Sequence, residues 1–254
     1  MGSMAIASIV SACLFISALF GMLLNALLPS HHLSQDSKHV LNVSMGLIAT
    51  MSALVLGLLI SSAKSSFDLE NSGIQQGAAN IIQLDRVLAH YGPETKEIRE
   101  RFRRVVAFRI RLTWPEEGST PKVTDTTPAM TRTAEGLEES IRKLSPHTDA
   151  QREFQSRALQ LIQALLGKRW LLFVESLNPM PTAFLVVLVL WLCMLFVGFG
   201  LFAPRNATVL LAFVLCAVAI SSALFLILEM NHPFYGLIKI SSEPLRYALS
   251  QLGQ

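Results

Sequence analysis

Apolar and polar residues occupy long separate blocks of this chain. A helix that crosses the hydrocarbon core of a bilayer needs about 20 predominantly apolar residues. Four stretches meet this requirement and contain no Asp, Glu, Lys or Arg: residues 4–28, 41–62, 182–202 and 208–228. A charged residue at mid-membrane would cost about 2.5–3.5 kcal/mol on the insertion scale. The pattern predicts four transmembrane helices, two within residues 1–63 and two within residues 180–229.

The polar segment between the two pairs of spans, residues 64–179, is predicted to be helical because it lacks the alternation typical of strands. Apolar residues recur at helical spacing over residues 65–90, so the second span is expected to continue out of the membrane. Further helices are predicted at residues 94–112, 133–144 and 149–177, with a loop at residues 116–131. The predicted fold class is an all-α membrane protein with a cytoplasmic helical domain. An amphipathic tail over residues 230–254 follows, its helix predicted to begin at Ser242 as N-cap.

The composition supports a membrane protein. Hydrophobic residues make up 52% of the chain and charged residues 15%, whereas soluble domains average about 25% charged residues. The net charge of +3 is small and mixed in sign, which excludes a typical nucleic-acid partner. The three cysteines lie inside apolar stretches and do not indicate a disulfide framework; they are Cys13, Cys193 and Cys216.

The distribution of basic residues predicts the orientation. With four spans, both termini and the middle segment lie on one side of the membrane. Of 21 Lys and Arg residues, Lys38 and Arg205 fall on the opposite side and the other 19 do not. Because cytoplasmic loops carry the excess of basic residues, we expect both termini and the middle segment to be cytoplasmic. The expected location is a bacterial inner membrane.

Small and hydroxyl residues form a stripe along the second span, with spacings of four, four, three, four and four. The members are Asn42, Gly46, Thr50, Ala53, Gly57 and Ser61. Small residues permit close helix packing, and a small, polar stripe also suits the wall of a water-filled path. Both interpretations stay open from the residues alone. The first span repeats the pattern more weakly with Ser11, Ala18, Gly21 and Asn25.

Glu229 and His232 lie at the membrane boundary after the fourth span. The carboxylate of Glu229 is a candidate for binding a cation, for capping the start of a helix in the tail, or for pairing with Lys64 or Arg169 at the same depth. Pairing or capping is favoured. No metal site is predicted, because the histidines of the outer loop have only Asp36 nearby; these are His31, His32 and His39.

Motifs of catalysis are not evident. The chain has no Gly-rich phosphate loop, HExxH motif, nucleophile elbow or CxxC pair, and no cofactor is predicted. Asp68, Glu70 and Asp85 are interpreted as solvated acids along a helix. An enzyme is therefore not expected; a lipid-modifying enzyme would have to rely on Glu229 and His232.

Two regions of the sequence resemble the bestrophin-like family of unknown function, which occurs in bacteria and plants. One is the second span with residues 58–60 and the following Ala-Lys-Ser-Ser-Phe at residues 63–67. The other is the tail at residues 228–245, where the family has an acidic residue, a proline, a glycine and Ser-x-x-Pro-Leu. The matching residues are Glu229, Pro233, Gly236, Ser241 and Pro244.

The resemblance implies a function by analogy of layout. Bestrophins are ring-shaped anion channels with four spans and cytoplasmic helices between the second and third. We therefore expect an oligomeric ion channel with its pore near the second span, gated through the cytoplasmic helices, with ion selectivity open. The alternative is a membrane-anchored scaffold or sensor that binds a protein partner through those helices. Bestrophin necks carry bulky apolar side chains, and the small stripe here departs from that pattern.

The stripe also predicts an assembly. Because helix association in membranes depends on close contact, a small-residue face is expected to meet protein or a central axis rather than lipid. We expect a symmetric homo-oligomer, a tetramer or pentamer, with the second span innermost. Leu47, Leu54 and Leu58 are then expected to face lipid or the third span.

Overall fold

The computed structural model describes residues 2–27, 35–114, 136–176, 182–234 and 236–253. All regular secondary structure in these residues is helical, and the predicted loop at 116–131 lies outside them. The helices are α1 Ser3–Leu27, α2 Gln35–Tyr91, α3 Lys96–Thr113, α4 at residues 136–142, α5 Asp149–Ser176, α6 Thr182–Phe202, α7 Ala207–Met230 and α8 Glu243–Gln251, with a one-turn 3₁₀ helix at Pro93–Thr95. The predicted all-α fold class is confirmed.

The chain forms two compact units. The membrane unit consists of Met1–Phe67 and Pro179–Ile238, and the helical unit consists of Asp68–Asn178 and Lys239–Gln254. Four helices are long and apolar enough to cross a membrane, namely α1, α2, α6 and α7. The four predicted spans are therefore confirmed, and the protein is an integral membrane protein.

Glycines bring α1 and α6 together in the membrane unit. A Cβ atom added to Gly21 of α1 would collide with the carbonyl oxygen of Val197 in α6, and one added to Gly200 of α6 would collide with the carbonyl oxygen of Ala18. The two backbones thus approach each other within a distance that no larger residue permits, as in small-residue packing of membrane helices. The small residues Ala18 and Gly21 of the first span therefore pack on the third span.

Helix α2 is a single element of 57 residues, which confirms that the second span continues out of the membrane. The helix begins at Gln35, six residues before the predicted membrane-crossing stretch at residues 41–62. The apolar pattern marks only the part that lipid can surround, whereas polar residues extend the helix as long as no Pro or Gly interrupts it. Between Pro29 and Gly46 the sequence contains neither residue.

The helical unit has an apolar core drawn from α2, α3, α4, α5 and α8. Its turn between α2 and α3 uses Gly92, whose φ of 143° lies in a region that favours glycine. The hydroxyl of buried Thr95 donates within this turn to the carbonyl oxygens of Leu88 and Gly92. Core members include Ile81, Leu84, Leu88, Phe102, Val106, Ile110, Leu137, Ile141, Leu161, Ile240, Leu245 and Leu252.

The tail packs antiparallel to α3 within the helical unit. The indole N–H of Trp114, after the end of α3, donates to the carbonyl oxygen of Ile240 at 2.8 Å. At the other end, a Cβ on Gly253 would lie 3.8 Å from the guanidinium of Arg103. Ser242 is the N-cap of α8, as predicted, but its side chain makes no cap bond. The Ser241 hydroxyl accepts the Glu243 N–H at 3.1 Å instead.

Asp85 is buried in this unit, which corrects its interpretation as a solvated acid. Its residue exposure is 1%, and its two carboxylate oxygens accept bonds of 2.8 Å each from Nε and Nη2 of Arg99. The N–H of Gly253 donates to the same carboxylate at 3.2 Å. The hydrogen bond to Asp85 raises the pKa of Arg99 further above its ordinary value.

Candidate functional site

The small-residue stripe of α2 is exposed along its whole length within the single chain. All six predicted members are on the exposed face: Asn42, Gly46, Thr50, Ala53, Gly57 and Ser61. Around Gly46 and Gly57 no atom lies within 4 Å of an added Cβ. The stripe therefore does not serve to pack α2 against other described helices of its own chain, unlike the glycines between α1 and α6.

A different face of α2 carries the packing of the span. Met45, Ser52, Leu59 and Ala63 are buried there, at spacings of seven, seven and four residues. The sulfur of Met45 occupies the space above Gly198 of α6, where a side chain on that glycine would collide with it. At 100° per residue, this buried face and the small-residue stripe lie about 120° apart around the helix. The span thus has one face for the protomer and another face that its own chain leaves open.

The chemistry of the stripe is polar and uncharged. The hydroxyl of Thr50 donates to the carbonyl oxygen of Leu47 at 2.8 Å, so its oxygen remains available as an acceptor. Asn42 and Ser61 add an amide and a hydroxyl near the two ends of the stripe. Such a surface can hydrogen-bond water or a partly hydrated ion, and it offers no fixed charge that would discriminate between cations and anions.

The bulky leucines lie beside the stripe and are also exposed. Leu47, Leu54 and Leu58 expose 63%, 70% and 71% of their surface. The third span of the same chain therefore does not cover them, which leaves lipid or another subunit as their neighbour. The open part of α2 is accordingly two-sided, with a small polar stripe next to a row of large apolar side chains.

Glu229 is buried in the last turn of α7, with 6% exposure. Its carboxylate accepts the N–H of Leu237 at 2.6 Å and further hydrogen bonds from the Ser3 side chain and the Ile238 N–H, while His232 adds an electrostatic contact. The His232 side chain itself is exposed. Glu229 thus closes the loop after α7 by accepting backbone N–H groups, rather than by capping the start of the tail helix, which begins only at Glu243.

Gly236 makes this loop possible. Its φ of 114° lies in the region that favours glycine, and a Cβ atom there would collide with the Glu229 carboxylate. The donors around Glu229 occupy much of its capacity to accept hydrogen bonds. The arrangement is therefore a structural anchor built from the same residues that carried the sequence resemblance.

Other candidate residues remain dispersed. His39 lies in α2 and is exposed, whereas His31 and His32 fall outside the described residues. Among the described residues, no group of three or more His, Cys, Asp or Glu side chains is placed to hold a metal ion. Arg205, in the short turn after α6, donates to the carbonyl oxygen of Met22 at 2.9 Å and joins that turn to α1.

Sequence reasoning missed the buried pair of Asp85 and Arg99. The signal was available, because Asp85 stands in the same heptad pattern as the buried apolar residues Ile74, Ala78, Ile81 and Leu88. A charged residue in such a pattern needs a partner in the core.

Comparison with known proteins gives a consistent result. The sequence profile of the bestrophin-like domain matches residues 12–245. Two mutant forms of a bacterial bestrophin homologue from Klebsiella pneumoniae have similar folds. One has a TM-score of 0.65 at 16% identity, with 100% of this chain and 99% of that chain covered. The other has a TM-score of 0.61 at 18% identity, with 95% and 98% covered.

A crystal structure described as that of a membrane protein is also similar, with a TM-score of 0.58, 18% identity and coverage of 93% and 99%. At these identities the likeness shows the fold alone. The comparison with curated proteins gave no match.

Proposed function

Because this chain belongs to the bestrophin-like family, we propose that it is a subunit of a homo-oligomeric ion channel whose conducting path runs along α2. Two of the structures of similar fold are of a bacterial bestrophin homologue, and bestrophins are ring-shaped channels. In the proposed assembly the small-residue stripe faces the symmetry axis, and both termini and the helical unit are cytoplasmic. We propose a tetramer or pentamer.

The observation that carries this proposal is the exposure of the stripe. Polar groups and helix backbone without large side chains are disfavoured against acyl chains, but they are tolerated where they line water or meet protein. Residues of the stripe such as Thr50 and Gly57 are exposed in the protomer, while Met45 and Leu59 on the packing face are buried. A second subunit or a water-filled axis is therefore the neighbour that suits this face.

The stripe predicts a path without strong charge selectivity of its own. Its six members include no ionisable residue, so selection by the sign of the ion must come from other parts of the path. Helix α2 belongs to both compact units, and we propose that the helical unit gates the path through this helix.

A flux assay on protein reconstituted into liposomes tests the channel. Wild-type vesicles are expected to pass monovalent ions, and Gly57→Leu is expected to reduce the flux at least tenfold by filling the path. Leucine is a better helix former than glycine by up to about 1 kcal/mol, and the space around Gly57 is open within the chain, so the variant is expected to fold. Gly57→Ala is the small control, and Leu54→Met is the control on the neighbouring face.

Cysteine cross-linking tests the arrangement independently of flux. In a background without Cys13, Cys193 and Cys216, single cysteines at position 50 or 57 are expected to form subunit-to-subunit cross-links, and one at position 54 is not. The reverse pattern, or a monomer without flux, would contradict the proposal. Silent vesicles together with a stoichiometric protein partner on the helical unit would favour the scaffold or sensor alternative.

A further inference from the structure

Helix α3 presents a basic face outside the proposed conducting path. Its basic residues outnumber its acidic residues by seven to two. Phe102, Val106 and Ile110 are buried on one side. On the opposite side Arg104, Phe108 and Arg111 follow one another at spacings of four and three residues and are all exposed, with Phe108 at 49%. This side of α3 therefore carries two guanidinium groups with an aromatic ring between them.

The basic face can be located along the chain relative to the end of the fourth span. The Leu237 N–H is bonded to Glu229 in the last turn of α7, so the chain at Leu237 is still at the end of that span. Ile240 follows three residues later, which corresponds to at most about 11 Å of extended chain. Because Ile240 accepts the Trp114 indole N–H, the end of α3 is connected to the end of the fourth span through only this short length of chain.

The side chains at this end of α3 have the chemistry of a membrane interface. The Trp114 indole N–H is satisfied by Ile240 and the ring is half-buried; tryptophan is enriched at the headgroup level of bilayers. Arg111 lies one helical turn before it, and exposed Lys239 directly precedes Ile240. Guanidinium groups bind phosphate oxygens in bidentate geometry, and ammonium groups bind them as point charges.

We propose that Arg111 and Lys239, together with the Trp114 ring, form a binding site for the phosphate headgroups of anionic phospholipids. Phe108 supplies an apolar side chain at the edge of this site. Charge complementarity to an anionic leaflet favours lipid over the acidic surface of a protein, because the site is tied to a residue only ten positions after the fourth span. Each basic residue near an anionic membrane contributes about a fivefold gain in lipid binding.

Tryptophan quenching by brominated lipids tests the site in the full-length protein. Trp170→Phe and Trp191→Phe leave Trp114 as the single reporter, and the protein is reconstituted in phosphatidylcholine vesicles containing a brominated lipid. Brominated phosphatidylglycerol is expected to quench Trp114 more strongly than brominated phosphatidylcholine, and the difference is expected to shrink at high salt. A variant that retains only Trp191, inside α6, is the reference, and the two brominated lipids are expected to quench it equally.

Charge removal tests the named residues. Arg111→Gln is expected to lower the relative binding of phosphatidylglycerol over phosphatidylcholine about fivefold, and adding Lys239→Gln is expected to abolish the preference. Lys96→Gln removes the same charge about 22 Å away along α3 and is expected to change nothing.

Several results would overturn the proposal. Equal quenching of Trp114 by the two lipids would show that no anionic lipid is selected. The absence of quenching by either lipid would show that protein, such as a second subunit, covers the site. Competition by free inorganic phosphate would indicate a soluble anion as the ligand, and an unchanged preference in Arg111→Gln would show that another protein group neutralises the arginine.

Discussion

The buried ion pair between Asp85 and Arg99 allows a quantitative test of the helical unit. Asp85→Asn removes the negative charge and keeps one side-chain oxygen as an acceptor for the Gly253 N–H. The substitution is nearly isosteric, so it isolates the loss of charge from the loss of volume. It leaves the Arg99 guanidinium facing a neutral amide in a site where the aspartate is 1% exposed.

The expected magnitude follows from the burial of the pair. Breaking a buried pair by removing one partner costs about 3–5 kcal/mol, because the remaining charge is left without compensation. The Arg99 side chain keeps 19% exposure, so water relieves part of this cost and we expect the lower end, about 3 kcal/mol. At about 3 °C per kcal/mol, the apparent Tm of the helical unit should fall by about 9 °C.

Thermal unfolding of the detergent-solubilised protein, followed by Trp114 fluorescence in the background without Trp170 and Trp191, measures this change. Asp149→Asn is the matched control. The Asp149–Arg152 pair has the same 2.8 Å distance, but its side chains are 95% and 66% exposed, so its loss should shift Tm by less than about 2 °C.

The double variant Asp85→Leu with Arg99→Met should recover most of the stability, because apolar residues of similar volume can replace a buried pair. The reasoning fails if Asp85→Asn melts like the wild type or if the double variant is less stable than the single one.

Two further predictions concern glycines of the membrane unit. Gly21→Leu should prevent α1 from packing on α6 and abolish recovery of folded protein in size-exclusion chromatography. The control Gly46→Leu, which meets open space, should be recovered normally. Equal recovery of the two variants would contradict the close approach of the α1 and α6 backbones. Gly236→Ala should lower stability by about 2 kcal/mol or more, because its φ is strained for alanine and its Cβ would collide with Glu229. Gly253→Ala, with positive φ but no such collision, should cost less in the same thermal assay, and the opposite order would refute this explanation.

The order of spans and helical segments could be predicted from the sequence, because the thickness of the bilayer requires a length of apolar helix that few other structures need. The third span coincides with its predicted bounds, Thr182–Phe202. The ends of helices outside the membrane were predicted less accurately from the sequence. The start of α2 at Gln35, and the bonding of the Glu243 N–H to Ser241 rather than to the N-cap Ser242, depend on local hydrogen bonding and propensity. These differ by small energies between neighbouring positions.

Only part of the candidate site could be predicted from the sequence. The periodicity of the stripe placed Gly46 and Gly57 on one face, but it did not decide whether that face packs inside the chain. Whether the stripe packs inside the chain depends on which other helix has a complementary surface. In α6 the glycines contact α1 and the side chain of Met45, which lies on the other face of α2. The hydrogen bonds of Asp85 come from Arg99, 14 positions away, and from Gly253, 168 positions away. Single-sequence patterns carry little information on such contacts.

The division of the helical unit into two sequence segments has a consequence for biogenesis. Residues Lys239–Gln254 belong to this unit, yet the ribosome makes them only after α6 and α7 have been synthesised. The first segment therefore has an incomplete core while α6 and α7 are being synthesised, since Leu245 and Leu252 are buried in the finished unit. Correct insertion of α7 thus becomes a condition for folding on the aqueous side. A chain whose last span fails to insert would present exposed apolar surface to chaperones and proteases. Completion of the helical unit by the tail therefore depends on integration of the last span.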